Sequence, residues 1–155
     1  MNDYNGQQRS RFSGNNRGNY SNHGDVETPK QVFEKANPQP YWVTNEADKD
    51  LPQFAETMGR YMAKNGLTNS KIRSIYGEIK RIQMSEFEKE KASFYLLRPK
   101  VAYALGRDSK NNGLQLFKIV FDHYYGKVEN SKTFLNFCNL LEAILAYHKA
   151  HGGKD

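Results

Sequence analysis

The chain has 155 residues, 37% hydrophobic and 26% charged, enough for one compact domain with a modest core. Its 23 Lys+Arg outnumber 17 Asp+Glu for a formal charge of +6, which points to an anionic partner. The lack of a long apolar run excludes a membrane-spanning helix, the lack of a signal-type segment points to a cytoplasmic protein, and a lone Cys138 leaves no internal disulfide or cysteine-based zinc site.

Residues 1–24 differ in kind from the rest of the chain. Arg9, Arg11 and Arg17 stand among Gly6, Gly14, Gly18, Gly24 and six asparagines, with Tyr4, Phe12 and Tyr20 spaced between them. Apart from Met1, no aliphatic side chain is present to offset the entropy of ordering, so a disordered basic arm is expected. Such an arm either touches single-stranded nucleic acid through charge and stacking or serves as a solubilising tail. Residues 25–49 form a docking segment in which Pro29, Pro38 and Pro40 forbid one continuous helix. Val32, Phe33, Tyr41, Trp42 and Val43 are apolar enough to dock on a core, and Trp42 reads as a packing anchor rather than a base-stacking ring.

Helical signals occupy residues 50–152, the expected bundle domain. Asp50 is placed to cap a first helix in which Phe54, Ala55, Met58 and Met62 repeat at helical spacing, and Asn65-Gly66 ends it. Thr68 is placed to cap a second helix, with Leu67 and Ile72 as a hydrophobic staple and Ile72, Ile75, Tyr76, Ile79 and Ile82 as the apolar face. Ser85 and Glu88 have capping-box spacing for a third helix, and Pro99 predicts a kink or restart before Val101–Arg107. Asn111-Asn112-Gly113 reads as a loop. Leu114–Val128 is apolar nearly all round except at Gln115, Lys118 and Asp122, as suits the centre of a bundle. A last helix runs from about Asn130 to His151 and stops at Gly152. No alternating strand pattern occurs. The expected fold is all-α, a compact bundle of about five helices with an Asn/Gly/Arg-rich N-terminal arm.

Two basic faces stand out. On the second helix Arg73, Gly77 and Arg81 lie at i, i+4, i+8, with Lys80 beside them, away from the isoleucine arc. A mid-helix glycine costs about 1 kcal/mol against alanine and suits the close approach of something bulky and anionic. The second face lies in a stretch from Lys91 to Arg107 that holds Lys91, Arg98, Lys100 and Arg107 and no acid. Lys100, Tyr103 and Arg107 share one helical face, where two cations can hold phosphates and the ring can meet a base or ribose. The alternative is that Tyr103 packs inward and the cations snorkel from its edges. The candidate RNA-binding residues are therefore Arg73, Lys80, Arg81, Arg98, Lys100, Tyr103 and Arg107.

The histidines offer little chemistry. His148 falls in the apolar arc of the last helix, and His148 with His151 lacks a third metal ligand. His23 and His123 have no visible partner. None of the GxxxxGK[ST], HExxH, GxSxG or GxGxxG patterns is present, and Glu86, Glu88 and Glu90 suit a helix first turn. Cys138 lies in an apolar arc. No catalytic residue, metal or cofactor is expected; the residues point to binding.

Three stretches together resemble a known family. Leu67-Thr68-Asn69-Ser70-Lys71-Ile72-Arg73 is similar to its "LT-x-S-x-I-R" helix opening. Pro99-Lys100-Val101-Ala102-Tyr103-Ala104 with Arg107 resembles "P-K-L-A-Y-A", and Leu141–Lys149 resembles the closing "EA-I-x-A-Y-x-K" helix, with Phe134 and Phe137 ahead of it. The family is the small helical subunit of type III-A (Csm-type) CRISPR effector complexes. The resemblance spans Leu67 to Lys149 and does not extend to the arm or the proline-containing segment. It implies a non-catalytic subunit that stacks in several copies along a guide RNA–target RNA duplex, opposite the backbone subunits, and grips ribose-phosphate without reading sequence. It further implies that cleavage belongs to the backbone and large subunits, and that Arg73, Lys100, Tyr103 and Arg107 contact RNA. The rival reading is a helix-turn-helix DNA-binding regulator, with the Asn65-Gly66 turn before a recognition helix that presents Asn69, Ser70 and Arg73.

Overall fold

A computed structural model describes residues 26–155, so the arm expected over residues 1–24 lies outside the described residues. The docking segment forms two short helices. In α1 (Pro29–Lys35) Pro29 occupies the first turn, where its missing N–H costs nothing, and Thr28 and Gln31 close a capping box. In α2 (Tyr41–Thr44) Trp42 and Val43 are buried. The Asp48 carboxylate ties this helix down by accepting from the Tyr41 hydroxyl at 2.6 Å and from Trp42 Nε1 at 2.8 Å. Trp42 is thus a packing anchor, 2% exposed, with its one polar atom satisfied.

The remaining helices are α3 (Leu51–Lys64), α4 (Asn69–Gln83), α5 (Lys91–Tyr95), α6 (Leu97–Arg107), α7 (Asn112–Tyr125) and α8 (Ser131–Ala150), with one 3-10 turn at Phe87–Lys89. The fold is all-α, as the periodicity requires: among the described residues there is no strand, only one backbone bridge between Thr68 and Lys154. No helix is long and apolar enough to cross a membrane. Phe54, Ala55, Met58 and Met62 on α3 and the four isoleucines on α4 are buried as expected. Tyr76, also expected on the α4 apolar face, is only half-buried, with Lys80 over its ring.

Several local expectations are corrected. Asp50 precedes α3, but its side chain makes no capping bond; its backbone N–H instead donates to Asp48, whose carboxylate already organises this turn. Thr68 also makes no capping bond, because its hydroxyl meets that of Ser70 at 3.0 Å and the Asn69 N–H donates to the Lys154 carbonyl. Ser85 and Glu88 form no capping box. Burial of Phe87 against Phe94 and Phe134 tightens this stretch into the 3-10 turn, and Glu88 pairs with Lys91 at 2.7 Å. The break expected at Pro99 falls at Leu96, and Pro99 sits in the first turn of α6, where proline has no hydrogen bond to lose. Asn112-Gly113 belongs to α7 rather than a loop, because the Asn111 side chain caps the helix by accepting from the Leu114 N–H at 2.9 Å.

α3 and α8 form the spine. A Cβ on Gly59 would lie 2.5 Å from the Ile144 carbonyl oxygen, so only glycine permits this backbone approach. α7 packs on α1, α3 and α6, and α4 lies along α6 with its flanks on α5 and α8. The start of α4 is fixed from the chain's C-terminal end. His148, fully buried, donates from Nε2 to the Leu67 carbonyl at 2.8 Å, and the Gly153 N–H bonds the His148 carbonyl at 2.8 Å. The last residues then lie against Asn69, whose side chain donates to Asp155 at 3.2 Å.

Candidate nucleic-acid interface

α4 and α6 run side by side and leave a groove of about 690 Å³ between them. α4 contributes Ser70, Lys71 and Ser74. From α6 come Lys100, Tyr103 and Arg107. The isoleucines turn one side of α4 into the core, and one step round the helix the small serines leave the groove open beside α6. On α6, Leu97 and Val101 are buried, which directs the i, i+3, i+7 series outward.

Tyr103 does not pack inward. It is 68% exposed, and the Arg107 guanidinium lies 5.8 Å from its ring centroid. Lys100 and Arg107 are exposed and have no carboxylate within 4.0 Å among the described residues. An exposed ring flanked by two unpaired cations can stack on a base or ribose while the cations hold phosphate oxygens.

The other expected residues separate from this set. At about 100° per residue, Arg98 lies on the far side of α6 from Lys100, Tyr103 and Arg107. Its guanidinium sits 5.9 Å from the Tyr125 ring centroid and 3.9 Å from Asp122, which Lys118 also engages. Arg81 is held by Glu78 at 2.7 Å and by Glu90 and Ser93 at 3.1 and 3.0 Å, fastening α4 to the start of α5. Hydrogen bonding to Arg81 holds the Glu78 and Glu90 carboxyls below the usual range, and the same bonds push the Arg81 pKa up. Lys80 faces α8, where it reaches Glu142 at 3.5 Å and lies over Tyr76 at 5.2 Å. Arg73 is exposed on the outer face of α4, and Gly77 beside it fronts open space, where a Cβ would meet no other helix within 4 Å. Gly77 therefore serves no helix packing.

Sequence reasoning missed Lys71 and Asp108. Lys71 lines the groove and pairs with Asp108 at 3.0 Å, while Asp108 also accepts from Asn111 at 2.9 Å. The signal was present in Lys71 lying next to Ser70 on the flank of α4 that turns towards α6.

Little elsewhere offers chemistry. His148 Nε2 is engaged by Leu67, and His151 lies 3.9 Å from Glu56. Burial pushes the Cys138 thiol up to about 12, so it is not a thiolate at neutral pH. Among the described residues no cluster of three or more His, Cys, Asp or Glu side chains could hold a metal. The helix-turn-helix reading fares poorly against the packing: α3 lies on α8 and α7, α4 lies on α6, and Asn69 is engaged by the C-terminal residues.

The family model Csm2 Type III-A matches residues 45–154 of the chain, from just after α2 to beyond the end of α8. No curated protein and no solved structure gives a significant match. The matched stretch covers well over half of the chain and includes α3 to α8, so the chain belongs to this family and is a Csm-type subunit of type III-A CRISPR complexes.

Proposed function

We propose that this member of the Csm2 Type III-A family is a non-catalytic small subunit that holds the sugar–phosphate backbone of RNA in the α4–α6 groove. It does so without reading sequence, in repeated copies along a guide RNA–target RNA duplex. The single observation that carries the reading is the exposed Lys100–Tyr103–Arg107 face, whose two cations have no carboxylate partner among the described residues. Lys100 and Arg107 neutralise phosphates and Tyr103 offers a stacking surface; Arg73 extends the positive face along α4. In these roles the groups read no base edge, because every base has a stacking face and every nucleotide a phosphate. Lys80, Arg81 and Arg98, engaged by acids or rings, act mainly in holding the helices together. The backbone and large subunits of the complex and further copies of this chain complete the set of partners, and the assembly works in the cytoplasm.

Titration of the full chain with labelled RNA tests this. Single strands and duplexes of unrelated sequence should bind within a few-fold of one another, with log K falling linearly against log salt. Lys100→Glu with Arg107→Glu should abolish that binding while leaving the circular dichroism spectrum unchanged. A DNA-binding regulator would instead prefer one duplex DNA sequence by orders of magnitude. RNA retention by the charge-reversed variant would exclude the groove.

A further inference from the structure

Asp108 is the one acid among the described residues that lines the α4–α6 groove, and its position is hard to explain by helix stability. It sits at the C-cap of α6, where the helix dipole disfavours a carboxylate and favours a cation. Its Oδ2 accepts from Lys71 Nζ at 3.0 Å and from Asn111 Nδ2 at 2.9 Å. Asn111 is itself fixed, since the same Nδ2 donates to the Gly66 carbonyl at 2.7 Å and its Oδ1 caps α7. The carboxylate is thus clamped from the loop before α7 and directed at a groove lysine. These bonds, that from Asn111 first, hold its carboxyl below the usual range, so it is charged at neutral pH.

We propose that Asp108 is an internal competitor for phosphate: it pairs with Lys71 in the free subunit and must yield that lysine when RNA enters the groove. This inference rests on the groove being the RNA site. The groove then has three cations but presents the free charge of two, with a fixed negative charge at one end. Each copy therefore holds RNA more weakly than the same groove would without the carboxylate, by the cost of releasing Lys71 from Asp108.

Full-length Asp108→Asn tests the idea, since the amide oxygen can still accept from Asn111 while the charge that holds Lys71 is gone. Binding of a short oligouridine RNA should tighten roughly three- to tenfold at low salt, and the slope of log K against log salt should steepen by about one. Adding Lys71→Gln should remove most of that gain. Asp108→Ser supplies the same readout if the asparagine variant is unstable. Unchanged or weaker binding in a natively folded variant overturns the proposal, as does a gain that survives in full without Lys71. If Lys100→Glu with Arg107→Glu abolishes binding while Asp108→Asn is neutral, only the role of Asp108 falls. If the charge-reversed variant still binds, the groove itself is wrong and Asp108 falls with it.

Discussion

The α4–α6 groove and the ridge around Arg81 carry the same residue types at similar helical spacing, yet the fold treats them differently. At the groove, Lys100 and Arg107 face solvent with no carboxylate within 4.0 Å among the described residues, and Tyr103 stands between them. At the ridge, Arg81 is surrounded by Glu78, Glu90 and Ser93, and neighbouring Lys80 reaches Glu142. A cation already paired must exchange one partner for another before it can hold a phosphate, whereas a free one exchanges only water and counterions. The lesson is that a basic stripe can serve as an anion site where its cations keep clear of carboxylates. At the ridge the acids come from α4 itself (Glu78), from the turn before α5 (Glu90) and from α8 (Glu142).

The largest effect should come from breaking the groove. Lys100→Glu with Arg107→Glu replaces two phosphate contacts by repulsion and should abolish RNA binding at ~0.1 M salt, read by fluorescence anisotropy. The circular dichroism spectrum should stay native and the melting temperature should fall somewhat, because Arg107→Glu puts a carboxylate at the C-terminal end of α6. Next, Tyr103→Ala should cost about 1–3 kcal/mol of binding if a base stacks there, and Tyr103→Phe should restore it. Full activity of the alanine variant would leave the groove with electrostatic contacts alone.

Gly77→Ala sharpens the comparison from the α4 side. The site fronts open space, so the methyl group should stabilise the free chain by about 0.5–1 kcal/mol in thermal unfolding. A loss of RNA affinity in the same variant would show that nucleic acid comes against α4 between Arg73 and Arg81.

The smallest effect on RNA should come from Arg81→Gln, with affinity within about twofold of the parent because the pairing already neutralises this cation. Its signature is in stability. Arg81 lowers the folded-state carboxyl pKa values of Glu78 and Glu90 below 4.5, so their contribution is complete above pH 4.5 and is lost as pH falls through the lowered values. Arg81→Gln should lower the melting temperature at neutral pH and flatten its decline below pH 4.5.

Much of the fold was legible because helices carry their own period. The isoleucine stripe of α4, the Asn65-Gly66 stop and the Gly152 stop, where φ is +96° at Gly66 and +85° at Gly152, arise from local sequence. So does α1, whose Thr28-Pro29 start and Gln31 could have been recognised as a capped first turn. The restart at Leu96 was not legible, since it depends on Phe87 and Phe94 packing against Phe134 of α8. The Lys100–Tyr103–Arg107 face could be read from spacing, and the same arithmetic sets Arg98 apart from it. That Lys91 to Arg107 contains no acid said nothing about acids from other helices: Asp122 reaches Arg98 from α7. Neutralisation across elements is a tertiary property that no linear pattern reveals.

The most direct measurement is photo-crosslinking of the full chain to 4-thiouridine-containing RNA, with the crosslinked peptides mapped by mass spectrometry. Crosslinks should concentrate on Tyr103 and its neighbours on α6 and on the Ser70–Ser74 stretch of α4. Crosslinks confined to the Arg81 and Arg98 surfaces, with Tyr103 unmodified, would contradict the account.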